Sequence, residues 1–294
     1  MAPQYNGVMN FSSPAAAERE SDPSDPNVLL SFDRVTLGYG DFVVLANLSL
    51  QIKAGEVVAL MGGSGSGKTT LMRAATGQLS PQAGVVSVFG QSIVGLGGAG
   101  LQSLRQRMGV LFQHGALFTD LNVFENVAFP LREHTTLSEA ELTHKVLETL
   151  DAVGLKAAAH LKLSAISGGM ARRVALARAV VREPELVFYD EPFAGLDPIS
   201  MGVTARLIRR LSDRLGCASV LITHDVAESF AIADTVYLVG QGELKAHGSP
   251  ATLGESNDPY VRQFLDGAPD GPVAFDYPVT PDFERWAACK GVGP

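Results

Sequence analysis

Leu60-Met61-Gly62-Gly63-Ser64-Gly65-Ser66-Gly67-Lys68-Thr69-Thr70 decides the fold of this chain, because its spacing is that of a phosphate-binding loop, G-x-x-x-x-G-K-[ST], set between a strand and a helix. The flanks agree: Glu56-Val57-Val58-Ala59-Leu60 is a short apolar strand, and Leu71, Met72, Ala74 and Ala75 recur at helical spacing. Gly62, Gly63, Gly65 and Gly67, with Ser64 and Ser66 between them, let backbone amides converge on phosphate oxygens. The helix N-terminus that continues through Thr70 adds partial positive charge, and Lys68 adds a full one toward the β- and γ-phosphates. The Thr69 hydroxyl is placed to ligate Mg²⁺, so ATP and Mg²⁺ are the expected ligands.

The 294 residues suit one large domain or two small ones, and 46% hydrophobic content is ample for a buried core. No apolar run approaches the ~20 residues of a membrane span, and no basic segment followed by an apolar one marks the N-terminus, so a cytosolic chain is expected. Cys217 and Cys289 match no metal-ligand spacing. The net charge of -8 argues against a general nucleic-acid binder. Much of that charge sits at the ends, with four acids and one base in residues 1–27 and six acids and three bases in 258–294.

Residues 1–27, rich in Pro, Ser, Ala and Asp, read as a disordered leader. Leu30, Phe32, Val35 and Leu37 then form a strand before the turn Gly38-Tyr39-Gly40-Asp41, and residues 43–52 supply a second. Tyr39 is placed to stack on an adenine, with Phe42 as the reserve; an ordinary turn aromatic is the alternative. A further strand at 85–89 and a short helix at 101–107 lead to Met108-Gly109-Val110-Leu111-Phe112-Gln113, an apolar strand ending in a Gln able to swing toward a metal-bound phosphate. Apolar residues at 123–131 and the capping box Ser138-x-x-Glu141 begin a helical insertion at about 115–180.

Ser167-Gly168-Gly169-Met170 opens another helix with bare amides at its N-terminus, a second place suited to phosphate or a simple Ser cap. Leu186-Val187-Phe188-Tyr189-Asp190-Glu191 is a buried strand ending in two carboxylates. Asp190 suits Mg²⁺, and Glu191 suits an attacking water as base or orienter. Asp197-Pro198 starts a helix, and His224 follows the strand at 219–223, where open α/β sheets bind ligands.

Taken in order, residues 62–69, Gln113, Ser167-Gly168-Gly169, Asp190-Glu191, Asp197 and His224 resemble the motif set of ATP-binding cassette (ABC) ATPases over residues 29–250. The resemblance implies Walker A, Q-loop, signature, Walker B with catalytic Glu, D-loop and switch His in turn, with Tyr39 as the adenine-stacking residue. Gln113, Glu191 and His224 are then the catalytic set, and Thr69, Gln113 and Asp190 the Mg²⁺ set. It implies an α/β fold: a P-loop NTPase (RecA-like) core, an N-terminal antiparallel β-subdomain and an inserted α-helical subdomain, within an ATP-binding domain at 28–257. Two such cassettes face head to tail, so Ser167, Gly168 and Gly169 would meet the nucleotide held by Lys68 of a second copy. Two positions depart from the usual L-S-G-G-Q signature, Ile166 for Leu and Met170 for Gln, and the second removes a side-chain amide.

The runs at 112–123, 167–173, 190–193 and 261–267 are further similar to the ATPases of MCE-type lipid transporters, of the Mla phospholipid kind found in Gram-negative envelopes. That implies a permease dimer, a periplasmic MCE-domain lipid carrier and a small cytoplasmic STAS-domain partner, with this chain on the cytoplasmic face of the inner membrane. The alternatives share the catalytic motifs: an importer ATPase for small polar solutes, or a non-transport ABC ATPase. Leu117 and Phe118 are the expected permease contacts. Past the ATP-binding domain, residues 258–265 read as a capped helix. Beyond Gly267, Pro269, Pro272, Pro278 and Pro281 favour extended structure, with Val273, Phe275, Tyr277 and Val279 alternating. This extension is expected to pack across a cassette pair, onto a STAS-type partner, or on its own subunit.

Overall fold

The computed structural model describes residues 25–113, 115–274 and 279–290. The leader up to residue 24, and Phe275 and Tyr277 of the extension, lie outside the described residues. The chain opens with a long hairpin, β1 (Val28–Tyr39) and β2 (Phe42–Lys53), paired antiparallel. In β1 the apolar positions Leu30, Phe32, Val35 and Leu37 break the two-residue period once, between Phe32 and Val35. The backbone absorbs the extra residue as a register shift at that point, with Arg34 at φ 47°, so all four side chains still face inward and are buried.

Strand β3 (Val57–Met61) is buried at all five positions, as a parallel strand covered on both faces must be. It delivers the chain into the glycine loop and α1 (Lys68–Ala75). Next come β4 (Ala83–Val88), the short β5 (Gln91–Ser92), α2 (Gly98–Gln106) and β6 (Met108–Leu111). Three helices, α3 (Val123–His134), α4 (Glu139–Ala152) and α5 (Gly168–Val180), separate β6 from β7 (Leu186–Asp190). The Ser138/Glu141 capping box forms at the start of α4, and Asn122 and Ser167 cap α3 and α5 through their own side chains.

The remainder alternates: α6 (Pro198–Leu215), β8 (Ala218–Thr223), α7 (Val226–Phe230), β9 (Thr235–Gly240), β10 (Glu243–Gly248), α8 (Pro250–Gly254), α9 (Pro259–Asp266) and α10 (Pro281–Cys289). Two sheets result, an antiparallel one ordered β2-β1-β4-β5 and a six-stranded one ordered β10-β9-β3-β8-β7-β6. Strands β9, β3, β8, β7 and β6 run parallel, so their carboxyl ends share one rim. Apolar residues of the antiparallel sheet, α1 and one face of the parallel strands form one core, and α3 to α6 with the other face form a second.

The extension differs from its sequence reading. Helix α9 forms on its Asp258 cap, but residues from 281 are helical rather than extended. Thr280 accepts a hydrogen bond from Phe283 N and Pro281 occupies the first turn, so that proline starts a helix.

Candidate nucleotide-binding and catalytic site

The loop after β3 is shaped by its glycines. Gly62, Gly65 and Gly67 have φ of 150°, 77° and 99°, and a Cβ on Gly62 would meet the carbonyl oxygen of Val239 at 2.1 Å. Lys68 turns back into this loop, donating from Nζ to Gly62 O (2.7 Å) and Gly63 O (2.9 Å). Burial pulls the Lys68 ammonium below its ordinary value, while the carboxylates of Glu191 and Asp190 oppose that pull. The Ser66 hydroxyl is buried without a partner, and Thr69 is exposed at the helix start.

Strand pairing sets the other groups beside the loop. Met61 pairs with Thr223, the residue before His224, and Asp190 pairs with Ile222 in the same β8. Glu191 follows β7 in a left-handed conformation (φ 47°), its amide donating to Ile222 O at 2.8 Å. Burial pushes the Asp190 carboxyl up from its ordinary value, the Glu191 carboxylate adds to this, and Lys68 and Arg73 oppose it. His224 Nδ1 lies 3.1 Å from both Glu191 oxygens, but hydrogen-bond geometry is met only at Oε1, leaving Oε2 buried without a partner. Asp225, absent from the sequence reading, completes a cluster in which ligand atoms of Glu191, His224 and Asp225 lie within 4.8 Å of one another.

Tyr39 hydroxyl accepts from Arg73 Nη1 at 3.1 Å, which ties the aromatic to α1; that bond is the main reason its phenol is held below the usual value. The ring stays 46% exposed, and its strand partner Phe42 is 71% exposed. Gln113 lies two residues past β6, exposed, its carbonyl accepting from Arg172 Nη1 at 2.7 Å.

The remaining motif residues form a second group. Ser167 Oγ accepts from Met170 N at 3.2 Å, and Asp197 caps α6 by accepting from Ile199 N and Ser200 N. A Cβ on Gly169 would stand 3.4 Å from Ser200 Oγ, so the starts of α5 and α6 adjoin. Among the described residues no hydrogen bond joins Ser167, Gly168, Gly169 or Asp197 to the glycine loop. The Met170 side chain packs against the second core, which gives an apolar residue a use at this position. Leu117 packs there too and is half-buried, whereas Phe118 is 39% exposed and lies 4.6 Å from Phe129 ring to ring.

The model of a family described as ABC transporter matches residues 45–194, about half of the chain. The chain belongs to the ABC transporter family. As a cassette of that family it is an ATP-hydrolysing enzyme. It is 50% identical over 250 residues, 85% of its own length and 95% of the relative's, to the intermembrane phospholipid transport system ATP-binding protein MlaF of Haemophilus influenzae. Among solved structures it is similar to cbiO1 of Clostridium perfringens, part of the ABC transporter complex cbiONQ (TM-score 0.74, 28% identity, covering 81% of this chain and 95% of that one). It is also similar to the cassette MJ0796 in a dimeric post-hydrolysis state bound to ADP and Pi (TM-score 0.68, 29% identity, 76% and 99% covered).

The donor set fits a magnesium nucleotide. A buried ammonium, an unpartnered buried hydroxyl and a desolvated carboxyl are each costly until an anion or a cation arrives, and Gly62 lets the loop pass close against the Val239 carbonyl. No helix among the described residues is long and apolar enough to cross a membrane.

Proposed function

We propose that this chain is the ATPase subunit of an intermembrane phospholipid transport system of the MCE type, bound peripherally at the cytoplasmic face of a bacterial inner membrane. The observation that carries the transport reading is the 50% identity, over 85% of the chain, to the phospholipid transport ATP-binding protein MlaF. The ATPase chemistry rests on the shared rim, where the carboxyl ends of β3, β8, β7 and β6, neighbours in one sheet, present the glycine loop, His224, Asp190 with Glu191, and Gln113. Lys68 exchanges two loop carbonyls for the β- and γ-phosphates, and the amides of residues 62–70 hold the rest of the chain of phosphates. Tyr39 stacks on the adenine, a contact of roughly 1–3 kcal/mol by analogy with base stacking elsewhere. Thr69, Asp190 and Gln113 would hold Mg²⁺, which supplies charge neutralisation between the phosphates when bound. Glu191 orients and deprotonates the attacking water, and His224, in contact with its carboxylate, fixes that carboxylate's direction.

Ser167, Gly168, Gly169 and Asp197 act on the nucleotide of a second copy. Two facts support this: among the described residues no hydrogen bond joins these residues to the glycine loop of their own chain, and the similar cassette MJ0796 is dimeric. In this reading residues 28–257 carry the chemistry and 258–294 serve assembly. The partners are a permease dimer, a periplasmic MCE-domain carrier and a STAS-domain protein. Purification of the chain with its native membrane partners, identification of the co-purified subunits and lipid, and ATPase assay of the complex test the whole reading. The expected result is an MCE-domain subunit with bound phospholipid; recovery of a solute-binding importer instead overturns it.

A further inference from the structure

Helix α5 carries three arginines, Arg172, Arg173 and Arg178, that meet no carboxylate among the described residues and bind main-chain carbonyls instead. Arg178 grips Gly115 O (2.6 Å) and Ala116 O (2.7 Å), just past Gln113. Arg172 does something different, because its two bonds lead to separate segments. One nitrogen donates to Gln113 O at 2.7 Å and the other to Ala194 O at 3.0 Å.

Ala194 belongs to the turn that begins at Glu191, whose carbonyl accepts from Ala194 N at 3.3 Å. That turn closes with Leu196 N donating to Phe193 O at 3.1 Å, immediately ahead of Asp197. Arg172 itself stands five residues into the helix capped by Ser167, about 7.5 Å along its axis. One guanidinium therefore joins three segments: the one with Gln113, the one running from Glu191 to Asp197, and the helix that starts at Ser167. The planar fork of arginine reaches two diverging acceptors at once, which a lysine ammonium on its flexible stem does not. Burial, with no carboxylate to offset it, lowers the Arg172 guanidinium from its ordinary value, so a partly desolvated cation is kept here on carbonyl dipoles alone.

We propose that Arg172 is a positioning residue for ATP hydrolysis: it holds Gln113 and the turn from Glu191 to Asp197 in register with the helix at Ser167, so that the group facing a chain's own nucleotide and the group facing its partner's nucleotide engage together. This rests on the roles assigned under the proposed function. Loss of the fork uncouples the two nucleotide sites of a pair while each loop still binds ATP.

The test uses the cassette co-purified with its membrane partners, as wild type, Arg172→Met, Arg172→Lys and Glu191→Gln. For Arg172→Met the ATPase kcat falls about tenfold, equal to about 1.4 kcal/mol of activation free energy. The Hill coefficient for ATP falls from about 2, the number of sites in a pair, to about 1. ATP affinity stays within about twofold and the melting temperature is unchanged. Arg172→Lys recovers part of kcat without the cooperativity. Wild-type kcat and Hill coefficient in Arg172→Met overturn the proposal, as does a loss of kcat matched by equal losses of ATP affinity and melting temperature, which marks a merely structural contact. If Arg172→Met does not fold, Arg172→Lys decides, a wild-type Hill coefficient overturning the role. Glu191→Gln separates the two levels: turnover retained in that variant removes the catalytic assignment, whatever the Arg172 variants do.

Discussion

Asn126 offers the sharpest test of how the loop that carries Phe118 is held. It is fully buried in α3, and its amide closes on the loop before the helix: Oδ1 accepts from Phe118 N at 2.9 Å, and Nδ2 donates to Phe118 O, Leu121 O and Asn122 O at 3.1, 3.3 and 3.0 Å. Phe118 O and Asn122 O have other donors, from Leu121 N and Asn126 N. Asn126→Ala therefore orphans chiefly Phe118 N–H and Leu121 O. Both bonds are part-buried, so water reaches the orphaned groups in part and the loss sits at the low end of about 1–3 kcal/mol for each, about 2 kcal/mol in all. With an m-value of about 3 kcal/mol/M, the urea midpoint should fall by roughly 0.7 M. The same variant should lose co-purification with the permease, because Phe118 is no longer fixed. Asn126→Asp adds a sign test. A carboxylate facing three carbonyls is disfavoured, so its folded pKa is raised, and stability present below the unfolded value is lost as pH rises through the folded one. A midpoint for Asn126→Ala within about 0.3 M of wild type, or an Asn126→Asp profile flat with pH, would refute this account.

Three other outcomes are expected. Lys68→Ala should lose ATP binding, whereas Glu191→Gln should keep ATP and hold two cassettes together while hydrolysis drops roughly 10²–10⁴-fold; rapid phosphate release from the latter would move the base elsewhere. Asp190→Asn should abolish turnover yet melt higher than wild type without nucleotide at neutral pH. The raised folded pKa of Asp190 makes the folded state lose stability as pH rises above the unfolded value, so the gain should vanish below about pH 4, and no gain at neutral pH counts against it. Truncation after Gly267 removes α10 with its exposed Phe283 and Trp286, and native mass measurement should show weakened pairing or partner binding; unaltered assembly would confine the extension to its own subunit.

The parts legible in the sequence are those written in contiguous residues. The glycine loop needs only positions 62–69 and their flanks, the capping box only Ser138 and Glu141, and the carboxylate pair only the end of one apolar run. What escapes is placed by contacts between distant segments. Nothing local orders the strands β10-β9-β3-β8-β7-β6, and the partners of Arg172, 59 and 22 residues away, leave no pattern around it. Asn126 reads as one polar residue in an apolar stretch until the loop folds over it. Helix α10 is a different case, since Thr280-Pro281-Asp282 with acids in the first turn is a start signal in plain view. Proline has two local meanings, extended chain and helix start, and at Pro281 the second one holds.

Lys68 rests its ammonium on Gly62 O and Gly63 O, so the cradle supplies the cation with oxygens of its own. An arriving nucleotide meets a lysine already stripped of much of its water, and binding becomes an exchange of one set of oxygens for another.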